Sequence, residues 1–189
     1  MANTYGMWLP GDPRGFRTRD HREHVEGDYR NPPPKDEYDQ RWRQSRQSMK
    51  QKPVHLCPQA RVPAVECIRH ALVEVHGIEV LTVAINEVHL HLLARFPRDL
   101  AGRPIESGSR TSAVGDPPRH YLGIAKQWAA KTLYARGLVE SAKVWARKGK
   151  IKPIADREHQ VHVFHYILDH IDQGAAVWSF RDEDIRIAP

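Results

Sequence analysis

The sequence predicts an α+β fold, an antiparallel sheet with two helices packed on it and an additional helix near the C-terminus. Two observations predict it. Stretches of β-branched or alternating residues interleave with stretches whose apolar groups recur every three to four positions. The order of these stretches is β, a long polar segment, α, β, β, α, β and then an extra α.

Residues 3–9, Asn-Thr-Tyr-Gly-Met-Trp-Leu, read as a first strand that Pro10-Gly11-Asp12-Pro13 ends as a turn. From about 14 to 60 the chain is polar, charged and proline-marked, with three prolines after Asn31 and the run Arg41-Trp42-Arg43. This composition marks an insertion into a single domain spanning 1–180, with a short helix near 35–50. Pro63 opens the clearest helix, whose apolar side is Val65, Ile68, Leu72 and Val75 and whose stop is Gly77. Residues 78–85 form a β-branched strand, Asn86-Glu87 a tight connection, and residues 88–96 its hairpin partner. Residues 97–118, marked by Gly, Ser and Pro, are a crossing loop. Helical period returns over 119–138 through Leu122, Ala125, Trp128, Ala129 and Leu133. Residues 143–154 read as a strongly basic strand or hairpin, 157–173 as the last helix, 176–180 as an edge strand, and 181–189 as a tail. Two βαβ halves in sequence predict a split βαβ, ferredoxin-like sandwich, with the last helix on the sheet face left open by the other two.

Bulk properties narrow the function. The 29 Lys and Arg against 23 Asp and Glu leave a formal charge of +6, which favours a polyanionic partner, nucleic acid above all. Cys57 and Cys67 stand ten apart without a zinc-like spacing, which fits a reducing compartment. The N-terminal residues carry no signal-peptide pattern and no apolar run is of membrane-spanning length, so the expectation is a cytoplasmic protein with no membrane partner. No phosphate-binding G-x-x-x-x-G-K-S/T loop and no dinucleotide-binding glycine pattern is present, so no nucleotide cofactor is expected.

The chemistry concentrates in two places. In Val88-His89-Leu90-His91-Leu92, strand alternation turns both imidazoles to one face and the apolar residues to the other. In Tyr166-Ile167-Leu168-Asp169-His170, a spacing of four places the phenol and a third imidazole on one helical face. Each feature alone is also what an ordinary hydrogen-bonded core histidine or a core aromatic looks like, and twelve histidines make a chance pair easy. Together they read as a strand-borne metal pair, His89 and His91, completed by His170, with Tyr166 beside it as nucleophile. Glu87 shares the parity of the two strand histidines and is read as a surface carboxylate at the hairpin tip. The basic residues Lys143, Arg147, Lys148, Lys150 and Lys152 are candidate phosphate contacts, as are Arg14 and Arg17 after the Gly-Asp-Pro turn. Trp145 and Trp128 are candidate stacking platforms, with core packing the alternative for both.

This pairing of an H-hydrophobic-H strand with a later tyrosine helix resembles the HUH single-tyrosine transposases of small bacterial insertion sequences, including those associated with repetitive extragenic palindromes. The segments Thr4-Tyr5-Gly6-Met7-Trp8-Leu9-Pro10-Gly11-Asp12-Pro13-Arg14-Gly15 and Val144-Trp145-Ala146-Arg147 also look like elements of that family. The resemblance covers most of 1–180 and is weakest over 20–60. It implies a single-stranded DNA endonuclease and strand transferase that acts at hairpins through a 5′-phosphotyrosine on Tyr166. It implies a divalent ion, Mg²⁺ or Mn²⁺, on His89, His91 and His170, the last standing where relatives often carry glutamine. Relatives build such sites within one chain or across a homodimer, and the sequence leaves both open, as it does the identity of the proton acceptor, His162 or His165. Two other readings stand beside it: a hairpin-DNA-binding protein without cleavage, and a metal-dependent phosphodiester hydrolase using activated water.

Overall fold

The computed structural model describes residues 1–14, 16, 39–97, 117–182 and 184–187. Arg17, the proline run after Asn31 and nearly all of the 97–118 loop lie outside the described residues, as does the side chain of Lys148. Contacts divide the chain into two compact units, Met1–Thr4 with His55–Pro189, and Tyr5–Val54. The larger unit is α+β, with a five-stranded, open, antiparallel sheet.

Its elements are β1 (Ala2–Thr4), a helix Pro58–His70, β2 (Glu79–Ile85), β3 (His89–Arg95), a helix Pro117–Ala135, β4 (Trp145–Gly149), a helix Arg157–Leu168 and β5 (Ala176–Ser179). A helix Asp39–Gln47 belongs to the smaller unit. In chain order the four helices are α1 to α4. The strands lie in the order β4-β1-β3-β2-β5, every neighbouring pair antiparallel.

The first strand is shorter than the expected 3–9. Pairing stops at Thr4, and Gly6 adopts φ 81°, a left-handed conformation that no strand continues through. The clearest helix begins earlier than expected. Pro58, not Pro63, occupies its first turn, where a missing N–H costs nothing, and Pro63 lies inside the helix. Its buried stripe, Ala60, Ala64, Val65 and Ile68, starts before the proline that sequence punctuation takes as the opening. The chain then widens into a π-helical turn over Ala71–Val75 before Gly77. The basic strand is likewise confined to Trp145–Gly149 instead of 143–154, and the edge strand ends at Ser179, one residue before the expected limit.

Strand register sorts the side chains onto two faces, because cross-strand partners share a face. Ala84 pairs with His91 and with Val177, whereas Val83 pairs with Leu92 and with Trp178. Ala84, Leu93 and Val177 pack with Phe164 and Ile167 of α4, so α4 covers the face that carries His91. On the opposite face Arg69 of α2 lies over the Trp178 ring at 5.5 Å, and α2 in turn packs against α3. Burial of each large side chain in these layers contributes about 1.5–3 kcal/mol.

The smaller unit is held by polar bonds. Val54 N–H donates to the Tyr5 carbonyl at 2.9 Å and Ser45 Oγ to the Pro10 carbonyl at 2.8 Å. Gly11, at φ 82°, is required there, since a Cβ would lie 2.7 Å from the Trp42 nitrogen. Among the described residues no helix is long and apolar enough to cross a membrane.

Candidate active site

His89 and His91 project from β3, and the hairpin that starts this strand is built by Asn86. Its Oδ1 accepts from Val88 N–H at 3.0 Å and from His89 N–H at 2.7 Å, while its own N–H donates to the His89 carbonyl at 3.0 Å. A short amide that satisfies two backbone N–H groups, with a backbone bond beside it, locks a two-residue turn and sets where strand alternation begins. Glu87 sits in that turn and binds His55, Oε1 to Nδ1 at 2.5 Å, with about half of each side chain exposed. The surface role expected of Glu87 agrees with this position.

Tyr166 and His170 come from α4 and its extension. Asp156 caps α4 by accepting from His159 N–H at 2.7 Å, and the helix tightens after Leu168 into a 3₁₀ turn, Asp169–Gln173. In that turn the His170 ring folds back, and its Nδ1 lies 2.8 Å from the Tyr166 carbonyl oxygen. A carbonyl oxygen only accepts, so Nδ1 carries a proton and donates it, which leaves Nε2 as the ring nitrogen available to a ligand.

The four side chains meet where α4 and its extension lie against the sheet face that carries His91. The His91 ring centroid lies 4.2 Å from that of His170, 5.7 Å from Tyr166 and 6.1 Å from His89, and Tyr166 lies 4.8 Å from His170. His91 and His170 are buried, whereas Tyr166 is 50% exposed. Burial pushes the His91 imidazole down to about 3, aided by the neighbouring His170 and His89 and by the N-terminal ammonium. His91 is therefore neutral at physiological pH, the form that binds metal.

As the side chains stand, no group of three His, Cys, Asp or Glu among the described residues is gathered to hold a metal ion. The donor chemistry nonetheless fits a divalent cation that takes nitrogen. His91 is neutral, His170 is held through Nδ1 by an outer hydrogen bond that leaves Nε2 as its free ring position, and His89 stands next along the strand.

Compared with models of protein families, with curated proteins and with solved structures, the chain matches none. The case for function rests on the chemistry of these residues.

Around the site, Lys143, Arg147, Lys150 and Lys152 are exposed on and beside β4. β4 lies two strands from β3, about 10 Å at the usual strand spacing. Trp145 is buried at 9% exposure and is a core residue, while Trp128 of α3 remains 41% exposed beside His70. In the smaller unit Arg14 is engaged locally. Its guanidinium grips Asp12, Nε to Oδ1 at 2.8 Å and Nη2 to Oδ2 at 2.6 Å, and also bonds the Met7 carbonyl. The hydrogen bond to Asp12 raises the Arg14 pKa above its usual value.

Sequence reasoning placed Asn86 in the hairpin connection without its capping role, and assigned no role to Phe180 or Arg181. An Asn immediately after a β-branched strand was a readable signal for the first. Nothing in the sequence separates an exposed Phe180 from a buried one.

Proposed function

We propose that the chain is a metal-dependent, single-stranded DNA strand transferase of the HUH single-tyrosine kind, a transposase that cuts beside DNA hairpins through a 5′-phosphotyrosine. The observation that carries this reading is the meeting of the exposed Tyr166 phenol with the His91 and His170 rings, at 5.7 and 4.8 Å between centroids. The succession β1–α2–β2 and β3–α3–β4, with strand order β4-β1-β3-β2, supports a ferredoxin-like, split βαβ frame with β5 added at one edge. The basic residues flanking β4 support a nucleic-acid substrate.

In the proposed reaction the Tyr166 oxygen attacks the scissile phosphorus in line with the bond to the 3′-oxygen of the preceding nucleotide. The new bond joins Tyr166 to the 5′-phosphate, the old one breaks, and the phenolic proton leaves as the departing 3′-oxygen gains one. One phosphodiester replaces another at nearly equal energy, so the reverse attack by a 3′-hydroxyl rejoins DNA without a nucleotide cofactor. A Mg²⁺ or Mn²⁺ ion held by His89, His91 and His170 supplies charge neutralisation for the non-bridging phosphate oxygens when bound. His170 contributes orientation as well, because its bond to the Tyr166 carbonyl ties the nucleophile's backbone to the imidazole pair.

The test is incubation of the protein with single-stranded hairpin DNA and Mn²⁺. A denaturation-resistant protein–DNA adduct is expected, and Tyr166→Phe abolishes it without altering the melting temperature. An adduct that persists in Tyr166→Phe sinks the assignment. Tight binding without cleavage under any divalent ion identifies a hairpin-binding protein, and cleavage without an adduct identifies a hydrolase.

A further inference from the structure

A second recess opens on the same side of the sheet, on the far flank of α4 from Tyr166. Leu81, Arg157, Val161, Phe164, Phe180 and Arg181 line a shallow volume of about 70 Å³. Residues 157, 161 and 164 are four and three apart, so they form one stripe of the helix, turned away from the stripe of Tyr166. The walls are apolar, yet Phe180 keeps 54% of its surface in solvent. Its ring meets Phe164 at 65° with centroids 5.9 Å apart. The Arg181 guanidinium stands over both rings, 5.2 Å from Phe164 and 5.5 Å from Phe180.

These residues combine an exposed flat apolar surface with positive charge that no ion pair among the described residues neutralises. Asp182, the adjacent carboxylate, is engaged by Ser179 Oγ at 2.6 Å and by Arg186 at 3.2 Å. Among the described residues Arg157 and Arg181 form no ion pair. A ligand that complements both features carries a planar apolar face between anionic groups, as an unpaired nucleotide does. Bases of a closed duplex are already stacked and cannot enter, which selects single-stranded DNA. α4 is about 10 Å wide, so an unpaired strand crossing it from Tyr166 reaches the recess within a few nucleotides. His165, which also lines the recess, stands beside that path.

We propose that the Phe180–Arg181 recess is a stacking pocket for an unpaired base of the DNA strand cut at Tyr166, within a few nucleotides of the scissile phosphate. The base stacks on Phe180, and Arg157 and Arg181 take the flanking phosphates. This deepens the strand-transferase reading and rests on it.

The test uses the full chain carrying Tyr166→Phe, so that binding is measured without reaction. Three fluorescein-labelled hairpins serve as probes: one blunt, one with an unpaired 5′ flank of several nucleotides, and one with the same flank at the 3′ end. Phe180→Ala is expected to weaken one flanked hairpin by about five- to hundredfold and the blunt hairpin by less than twofold. Phe180→Trp is expected to restore binding, and Arg181→Ala to weaken the same flanked probe. Unchanged affinity of both flanked hairpins in Phe180→Ala overturns the pocket, as does an equal loss for the blunt one. Sedimentation that shows Phe180→Ala dissociating a dimer, with DNA affinity unchanged, also overturns it and assigns the recess to a second copy of the chain. Adduct formation with native Tyr166 separates the two claims. If adduct forms in wild type while Phe180→Ala leaves affinity unchanged, only the pocket falls; if wild type neither binds nor forms adduct, both fall.

Discussion

The His170 ring is tied through Nδ1 to the carbonyl of Tyr166 at 2.8 Å, and its centroid lies 4.2 Å from that of His91, so one residue links the turn that bears the phenol to the strand imidazole. Orientation and the proposed ligation therefore fall on one side chain and can be separated by substitution. His170→Asn keeps a donor near the Nδ1 position and removes the distal nitrogen. It is expected to retain most of the stability, losing about 1 kcal/mol, while Mn²⁺ affinity measured by titration calorimetry falls at least tenfold. His170→Ala removes both functions and is expected to cost about 2–3 kcal/mol in urea denaturation, because the residue is only 4% exposed. Equal Mn²⁺ affinity in His170→Asn and wild type would remove this residue from the ligand set.

His91 makes stability depend on acid. Its folded-state pKa of about 3 lies below the ordinary 6.5, so the unfolded chain binds the proton first. Stability attributable to His91 is therefore complete above about pH 6.5 and is lost progressively as pH falls toward 3, with a limiting slope of about 1.4 kcal/mol per pH unit. Urea midpoints measured between pH 7.5 and 4 are expected to fall less steeply for His91→Leu than for wild type. Parallel profiles would show that His91 is not the buried neutral group.

Asn86 is a backbone device with a functional consequence. Asn86→Ala strips the acceptor from Val88 N–H and His89 N–H and is expected to destabilise the fold by about 1–2 kcal/mol. Because this turn sets the first residue of β3, metal affinity is expected to fall with it. Asn86→Asp, which keeps the acceptor, is expected to lie within about 0.5 kcal/mol of wild type by thermal denaturation.

The basic residues beside β4 are expected to act through phosphates without reading sequence. Arg147→Ala combined with Lys152→Ala is expected to weaken hairpin binding across unrelated sequences. The slope of log affinity against log salt is expected to shrink by roughly 1.4 to 1.8 for the two contacts. Arg14→Ala, whose guanidinium is engaged by Asp12, is expected to change that slope by much less. An equal change would place Arg14 on the DNA.

Much of the site was legible because it is local. The alternation that sets His89 and His91 on one face needs only three residues of strand, and the fourfold spacing of Tyr166 and His170 needs one helical turn. Both survive in the structure, although His170 lies in a 3₁₀ turn and not in the α-helix itself. Element ends were read less well where punctuation misled. Pro63 marks a helix start by rule, yet Pro58 opened the helix, and Gly6 cut the first strand short because a left-handed residue outweighs the β-branched and aromatic content around it.

Sequence alone determined the alternation of strands and helices, the hairpin at Asn86 and the two local residue pairs, since each is encoded in the backbone and side-chain periods of neighbouring residues. Tertiary structure alone decided that the pairs meet, that His91 is buried and neutral while Tyr166 stays half exposed, that Trp145 is core, and that Phe180 lies open beneath Arg181. Those outcomes depend on strand order, cross-strand register and which sheet face α4 covers, all of which arise from packing between residues distant in the chain.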